Sequence, residues 1–263
     1  MSTPRRAAGA TSPPAETSHD PQRRRWLVGT GTVAFGLLAA TAPGALRAAA
    51  ESSTDVLAAE DLMREHGVLR RALLVYAHAA VRLARNQPVA ADALQRTAML
   101  FRRFGEDYHE HSLEETHVFP ALAAGPHAAL VKTLIAQHRR GREITDYLLA
   151  VTHGGNIGSG DVAPLAGVLG DFVRMYQHHT AVEDTVLFPA WKRTLSSARY
   201  RELSEQFEDL EQRMFGKHGF EDAVARIAAV EQSVGLADLA ALTAAAPPAR
   251  PALSRAERRS SSS

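Results

Sequence analysis

Histidine precedes glutamate by four residues at two places in the chain. His111 precedes Glu115 by this spacing, and His179 precedes Glu183 by the same spacing. Residues four apart lie above one another on one face of an α-helix, so each pair can present an imidazole and a carboxylate together. Nitrogen and carboxylate oxygen ligands suit iron, manganese and zinc. The two pairs are therefore candidate metal ligands.

Two further histidines, His66 and His138, lie on the apolar faces of two other predicted helices. No lysine or arginine shares the faces that carry the candidate carboxylates, and a carboxylate buried without a compensating charge is destabilising. A bound cation would compensate it. The pattern predicts a buried site of four histidines and two carboxylates, a set that commonly holds two ions bridged by carboxylates in helical bundles.

The helices that must position these residues follow from apolar residues repeated every three or four positions. Four long helices are predicted, at about 62–83, 90–120, 130–148 and 165–190. Helices joined by short connections bury their apolar faces most simply as an antiparallel four-helix bundle, so we expect an all-α fold. Additional C-terminal helices, at about 198–215 and 220–234, are expected to pack on the outside.

The sequence divides into four parts on this interpretation. Residues 1–50 are a signal peptide, 51–195 the bundle, and 196–243 the accessory helices. Residues 244–263 are rich in Pro, Ala, Arg and Ser and are expected to form a disordered tail.

The signal is typical of twin-arginine export. Arg23, Arg24 and Arg25 precede Trp26-Leu27, an apolar stretch diluted by glycine follows, and Ala48-Ala49-Ala50 forms a small-residue peptidase site. Cleavage after Ala50 would place the mature protein in the periplasm or outside the cell, with no membrane association. Without cleavage, the same stretch would anchor the protein in the membrane.

Composition excludes several other classes of protein. The chain of 263 residues has 45% hydrophobic residues and no cysteine, which rules out thiolate metal sites and cysteine nucleophiles. Residues 51–263 carry 24 Lys and Arg against 27 Asp and Glu. Because no basic field remains on the folded part, nucleic acid is not an expected partner.

An internal repeat accompanies the candidate ligands. Residues 109–121 parallel residues 178–190, and both segments end in Phe-Pro-Ala. With these features the chain resembles the hemerythrin-like family, the HHE cation-binding domains, over about residues 60–195. The resemblance is carried by five motifs: Met63–Gly67, Tyr108–Glu110, Glu114-Glu115 with Phe119-Pro120, Gln137-His138 with Gly141-Arg142, and His179–Pro189.

The resemblance implies a four-helix bundle that holds two iron ions in a non-haem, carboxylate-bridged di-iron centre. Its ligands would include His66, His138, His179 and Glu183. The implied partner is dioxygen or another small diatomic or peroxide ligand, and the sequence identifies no redox partner. The oxygen-carrying members also use a fifth histidine, for which this sequence has no clear counterpart.

Two ligand pairs remain open for the second helix. A one-residue π-bulge would bring His109 and Glu114 onto one face, whereas an unbroken α-helix would present His111 and Glu115. The family motif, which begins at Tyr108-His109, favours the first pair. The apolar periodicity favours the second.

Three functions are compatible with these residues. The first is a di-iron protein that binds dioxygen or a related molecule as a carrier, scavenger or sensor. The second is a di-iron redox enzyme that acts on peroxide, nitric oxide or ferrous iron. The third is a helical interaction domain in which the metal is structural.

Overall fold

Helices dominate the chain in the computed structural model, which describes residues 56–248, and no strand occurs in that range. Four long helical segments, which we call rods, form the bundle. The first and third rods are uninterrupted α-helices, α1 (Ala58–Ala84) and α4 (Ala128–Val151). The other two change their winding along their length. The second rod consists of α2 (Ala91–Leu100), a π-helical segment π1 (Phe101–Val118) and α3 (Phe119–Leu122). The fourth rod consists of α5 (Val162–Val182), a shorter π segment π2 (Glu183–Leu187) and α6 (Phe188–Arg193).

The four rods surround one core. Helix α1 contacts α5 and π1, and α4 contacts the same two elements from the other side. Buried aromatic rings fill the centre, with centroids 5.0 Å apart for Phe101 and Phe172 and 5.5 Å apart for Tyr76 and Phe172. Edge-on contacts of this kind add to the stability that apolar burial provides. The all-α bundle predicted from the periodicity is confirmed.

The π winding is visible in side-chain hydrogen bonds as well as in the backbone. In π1, the hydroxyl groups of Ser112 and Thr116 each donate to the carbonyl five residues earlier, at 2.8 Å. In α4, Thr133 donates to the carbonyl four residues earlier. The wider turn of π1 therefore changes which residues lie above one another.

Both π segments end at a Phe-Pro pair. The backbone N–H of Phe119 donates to the carbonyl of Glu114, and that of Phe188 donates to the carbonyl of Glu183, in each case five residues earlier. The proline that follows each phenylalanine has no N–H, and its ring would clash with the carbonyl four residues earlier in a regular α-helix. A widened turn before the proline accommodates that ring.

Two more helices, α7 (Ser197–Phe215) and α8 (Gly219–Val234), pack against α1 and the second rod, as predicted for the C-terminal helices. Trp191 stacks on Phe207 of α7, and Arg71 of α1 donates to Glu231 of α8 at 2.9 Å. The predicted signal and all but the first residues of the predicted tail lie outside the described residues. No helix within 56–248 has the length and apolarity needed to cross a membrane.

Candidate metal centre

Six side chains from the four rods meet inside the bundle. We call them the His/Glu cluster, and each is at most 3% exposed. Their ligand atoms form two overlapping groups, one of four residues and one of three, and Glu114 belongs to both. The cluster consists of His66 on α1, His109 and Glu114 on π1, His138 on α4, His179 on α5 and Glu183 at the start of π2.

Each carboxylate lies between two imidazole rings. Glu114 is 3.4 Å from His109 Nε2 and 3.3 Å from His138 Nε2. Glu183 is 3.5 Å from His66 Nε2 and 3.1 Å from His179 Nε2. The Nε2 atoms of all four histidines therefore point toward the two carboxylates.

The Nδ1 atoms of the same histidines point outward, each to its own oxygen acceptor. Every acceptor is the sequence neighbour of a cluster residue on one rod and supports the histidine of the next rod, so the four contacts close a ring around the bundle. We call these four residues the outer acceptors. The pairs are Asp184 with His66 at 2.7 Å, Glu65 with His109 at 2.6 Å, Glu115 with His138 at 2.9 Å and Gln137 with His179 at 2.9 Å.

The four contacts with the outer acceptors determine which nitrogen of each neutral imidazole carries the hydrogen. A carboxylate or amide oxygen only accepts a hydrogen bond, so each Nδ1 carries the hydrogen and each Nε2 turns a lone pair toward the cluster. The Nε2 atoms of His138 and His179 are 3.1 Å apart. Two lone pairs at that distance would repel each other, so either a proton or a metal cation must lie between these nitrogens.

The carboxylates also lack partners. All four carboxylate oxygens of Glu114 and Glu183 are buried and have no hydrogen bond within the described part of the chain. Buried polar atoms are normally satisfied, and an unsatisfied carboxylate is especially unfavourable. Imidazole nitrogens and carboxylate oxygens in this number fit iron, manganese or zinc, so the residues suit a metal centre.

Without a cation, the pKa values of the cluster residues are shifted in opposite directions. Burial raises the pKa of Glu114, but the charges of His109 and His138 and the close approach of their rings outweigh burial and hold that pKa well below its usual range. Burial and the charge of Glu114 raise the pKa of Glu183. Burial opposes charging of His138, yet the charge of Glu110 and the contacts with Glu114 and Glu115 raise its pKa to about 10. Burial and the charge of His138 lower the pKa of His179 to about 3.

Of the two ligand pairs considered for the second rod, one lies in the cluster. His109 and Glu114 are buried there, because the π winding places residues five apart on one face. His111 lies outside the cluster, with a side chain that is 70% exposed and bonds Glu115 at 3.2 Å. Glu115 contacts His138 Nδ1 and Arg142 rather than the Nε2 side of the cluster. Neither alternative describes the winding completely, because the second rod is not an unbroken α-helix and its π winding covers 18 residues rather than a single bulge.

The Phe-Pro pairs contribute directly to the site. Phe119 stacks on His138 with a centroid distance of 5.2 Å, and Phe188 stacks on His66 at 5.4 Å. In the structure each phenylalanine covers one ligand ring and limits its contact with water.

Further side chains surround the cluster. Tyr176 donates to Glu110 at 2.7 Å, and its ring centroid is 5.3 Å from that of His179. Gly141 makes room for this tyrosine, because a Cβ at position 141 would lie 2.0 Å from the hydroxyl. In the sequence, the available signal for this close approach was a glycine on the apolar face of the helix that becomes α4. For the outer acceptors, the signal was a polar residue beside each ligand.

Comparison with known proteins agrees with the geometry. The model of the hemerythrin HHE cation-binding domain matches residues 57–191. The chain is also 43% identical over 195 residues to uncharacterized proteins from Mycobacterium bovis and from two strains of Mycobacterium tuberculosis, which covers 73% of this chain and 76% of each relative. No solved structure matches the chain. The matched range contains all six residues of the His/Glu cluster, and the chain belongs to the hemerythrin HHE cation-binding family.

Proposed function

We propose that this protein holds a non-haem di-iron centre in the His/Glu cluster and binds dioxygen or a related small molecule, such as nitric oxide, as a carrier, scavenger or sensor. The observation that carries the proposal is the convergence of four imidazole Nε2 atoms on four unsatisfied carboxylate oxygens. His66 and His109 would hold one ion, and His138 and His179 the other. Glu114 and Glu183, each placed between histidines of both halves, would bridge the two ions.

Residues around the centre have separate tasks in this proposal. When bound, the iron ions supply an oxidisable centre with affinity for small ligands. The outer acceptors hold each Nδ1–H and so fix the ring orientation and raise the basicity of Nε2. Phe119 and Phe188 cover two of the rings. Because the cluster residues are at most 3% exposed, a diatomic ligand fits the site better than an organic substrate does.

The ligand proposal is tested by visible absorption spectroscopy of the iron-loaded protein. The anaerobically reduced protein is measured first, then after exposure to air, and again after removal of oxygen. A spectrum that changes on oxygenation and returns on deoxygenation supports reversible binding. A spectrum that never changes while iron stays bound would instead favour a structural metal, the third function considered above.

One contact favours a second candidate, a di-iron redox enzyme that reduces peroxide or nitric oxide or oxidises ferrous iron. The buried Tyr176 hydroxyl donates to Glu110, and the same tyrosine ring lies against His179. This pair can move a proton beside the centre, which a turnover reaction requires and simple binding does not. Multiple turnovers with peroxide and a chemical reductant, lowered by Tyr176→Phe at unchanged iron content, would support the enzyme.

We also propose that the protein is exported by the twin-arginine route to the periplasm or beyond it. The Arg23-Arg24-Arg25-Trp26-Leu27 pattern and the alanines at 48–50 support this location. Replacing Arg23 and Arg24 by Lys should leave folded protein in the cytoplasm, and N-terminal sequencing of the exported form should begin near Glu51. Recovery of an intact signal segment in the membrane fraction would indicate an anchor instead.

A further inference from the structure

A cavity of about 290 Å³ lies between the second half of α1, the start of α2 and the end of α8. Most of its walls are apolar, and they include Val75 and Ala79 on α1, Leu94 on α2 and Val234 on α8. Its volume is at the lower end of the range for small-molecule sites, and it equals the volume of about ten water molecules in the liquid. A ligand of this cavity would therefore be small and largely apolar.

The residues of the lining that can carry a charge are both basic. His78 and Arg82 lie one turn apart on α1, and no Asp or Glu lines the cavity. On the neighbouring helices, Asp92 of α2 and Glu231 of α8 each pair with a different arginine. Neither basic residue of the lining therefore has an acidic partner among residues 56–248, and this end of the cavity favours an anion.

The turn between α1 and α2 holds Arg82 in place. Arg82 Nε donates to the carbonyl of Pro88 at 2.9 Å, and the carbonyl of Arg82 accepts the backbone N–H of Gln87 at 2.8 Å. Asn86 has a left-handed backbone with φ of 54°, which lets the chain reverse direction here. The two Nη groups of Arg82 have no hydrogen bond within the described part of the chain, so a planar pair of donors is already positioned for a ligand.

His78 adds a second donor beside this guanidinium. Burial and the charge of Arg82 lower the pKa of His78, so its imidazole is neutral at pH 7 and can donate one hydrogen bond. An anion between the two side chains would accept from both of them. It would also compensate the charge of Arg82, whose side chain is half-buried.

We propose that this cavity binds a small amphipathic carboxylate, such as a medium-chain fatty acid, with its head group at His78 and Arg82 and its hydrocarbon chain along the apolar walls. Two parallel N–H groups of a guanidinium match the two oxygens of a carboxylate, which favours this head group over a single-point acceptor. The hydrocarbon chain would leave water for the surface that Val75, Val89 and Leu94 provide.

The cavity is separate from the metal centre. His78 follows His66 on α1 by about 18 Å along the helix axis. One wall of the cavity comes from Ser233 and Val234 of α8, which lie outside the matched residues 57–191. The accessory helices therefore complete the cavity, and a family domain without them would lack that wall.

The test is isothermal titration calorimetry of the full chain with octanoate. Octanol and acetate are the matched probes, because octanol lacks the charge and acetate lacks the hydrocarbon chain. Octanoate should bind saturably, and each of the other probes should bind about tenfold or more weakly, since each loses one of the two contributions. The octanoate affinity should be the same after a chelator has removed any metal. Absence of saturable binding, binding no tighter than that of octanol, or binding that requires metal would overturn the proposal.

Matched variants locate the bound octanoate. Arg82→Gln removes the charge at the cavity and should weaken octanoate binding by about tenfold or more, with octanol binding unchanged. Arg85→Gln removes the same charge from an exposed residue just after α1, outside the lining, and should leave octanoate binding unchanged. Equal weakening in the two variants would contradict the site.

A third variant tests the apolar part and leaves both basic residues in place. Val89 is half-buried and lines the cavity from the turn between α1 and α2. Val89→Phe should narrow the cavity and weaken octanoate and octanol alike. Circular dichroism checks that each variant is folded, and an unchanged octanoate affinity in folded Val89→Phe protein would place the ligand elsewhere and overturn the proposal.

Discussion

The second and fourth rods carry the same chemical elements in different helical winding. Each contributes a histidine, a glutamate and a Phe-Pro pair, and in each the glutamate carbonyl accepts from the phenylalanine N–H five residues later. The histidines differ in position. His179, in α5, precedes Glu183, the first residue of π2, by four residues, whereas His109 precedes Glu114 by five within π1.

This difference shows that winding, and not spacing alone, decides which residues converge. An α-helix places residues four apart on one face, and the wider π turn does the same for residues five apart. The extra residue in the second rod is absorbed by extending the π segment upstream of the histidine. The two rods thus arrive at equivalent positions for both glutamates, Glu114 facing His109 and His138, and Glu183 facing His66 and His179.

The largest expected effect is the loss of a bridging carboxylate. Glu114→Gln and Glu183→Gln should each lose most of both metal ions, because each glutamate faces histidines of both halves. Both variants should also lower the melting temperature of metal-loaded protein, since metal affinity for the folded state adds to stability. Elemental analysis and thermal unfolding measure these effects. If Glu115→Gln, and not Glu114→Gln, behaves like Glu183→Gln, the equivalence of the two rods is wrong.

Loss of a single ligand histidine should remove one metal ion rather than two. His109→Ala removes a ligand from one half only and should leave about one ion bound per chain. His111→Ala is the matched control, since this side chain is 70% exposed and lies two residues away on the same π segment. Its metal content should equal that of the unmodified protein. Equal losses in the two variants would contradict the register of the second rod.

Changes in the outer acceptors should weaken binding without removing a ligand. Asp184→Asn alters the support of His66, and Glu115→Gln alters that of His138. Each should lower metal affinity by roughly tenfold to a hundredfold, as is typical for partners of ligating histidines. Competition with a chelator of known affinity measures the change. Affinities that stay unchanged in both variants would show that the ring of outer acceptors has no influence on the centre.

A smaller effect concerns pH. His138 in the metal-free protein has a pKa of about 10, above the ordinary 6.5, so it holds a proton at pH 7 that a metal must displace. Metal affinity should therefore rise with pH toward 10, while the contribution of charged His138 to metal-free stability, complete below 6.5, is lost over the same range. Calorimetry in buffers of different ionisation enthalpy should detect proton release. Buffer-independent heats would contradict it.

The parts of the site that sequence predicts most directly are those that follow the periodicity of an α-helix. His66, His138, His179 and Glu183 lie on apolar stripes with ordinary periodicity, and they meet in the structure as expected. The choice between the two ligand pairs of the second rod could not be made from the sequence, because the pattern assumes 3.6 residues per turn. The winding of this rod depends instead on Pro120 and on how the rod packs.

The supporting role of the outer acceptors, including Glu115, which was itself a candidate ligand, was missed for a related reason. A sequence neighbour of a ligand is rotated by about 100° around an α-helix, so it leaves the buried stripe and points toward an adjacent helix. Glu65 and Gln137 each follow this rule, and they support His109 and His179 on the next rod. Their partners depend on how the rods are arranged around the bundle, and helical periodicity within one rod does not contain that information.

The most direct test of the account is the metal content of mature protein purified from iron-replete cells. The six residues of the His/Glu cluster should hold close to two transition-metal ions per chain, mainly iron. Elemental analysis with an accurate protein concentration decides the ratio. A value near two that falls below one in both Glu114→Gln and Glu183→Gln agrees with a shared di-iron centre. A single equivalent of zinc, or folded protein with no metal, would contradict it.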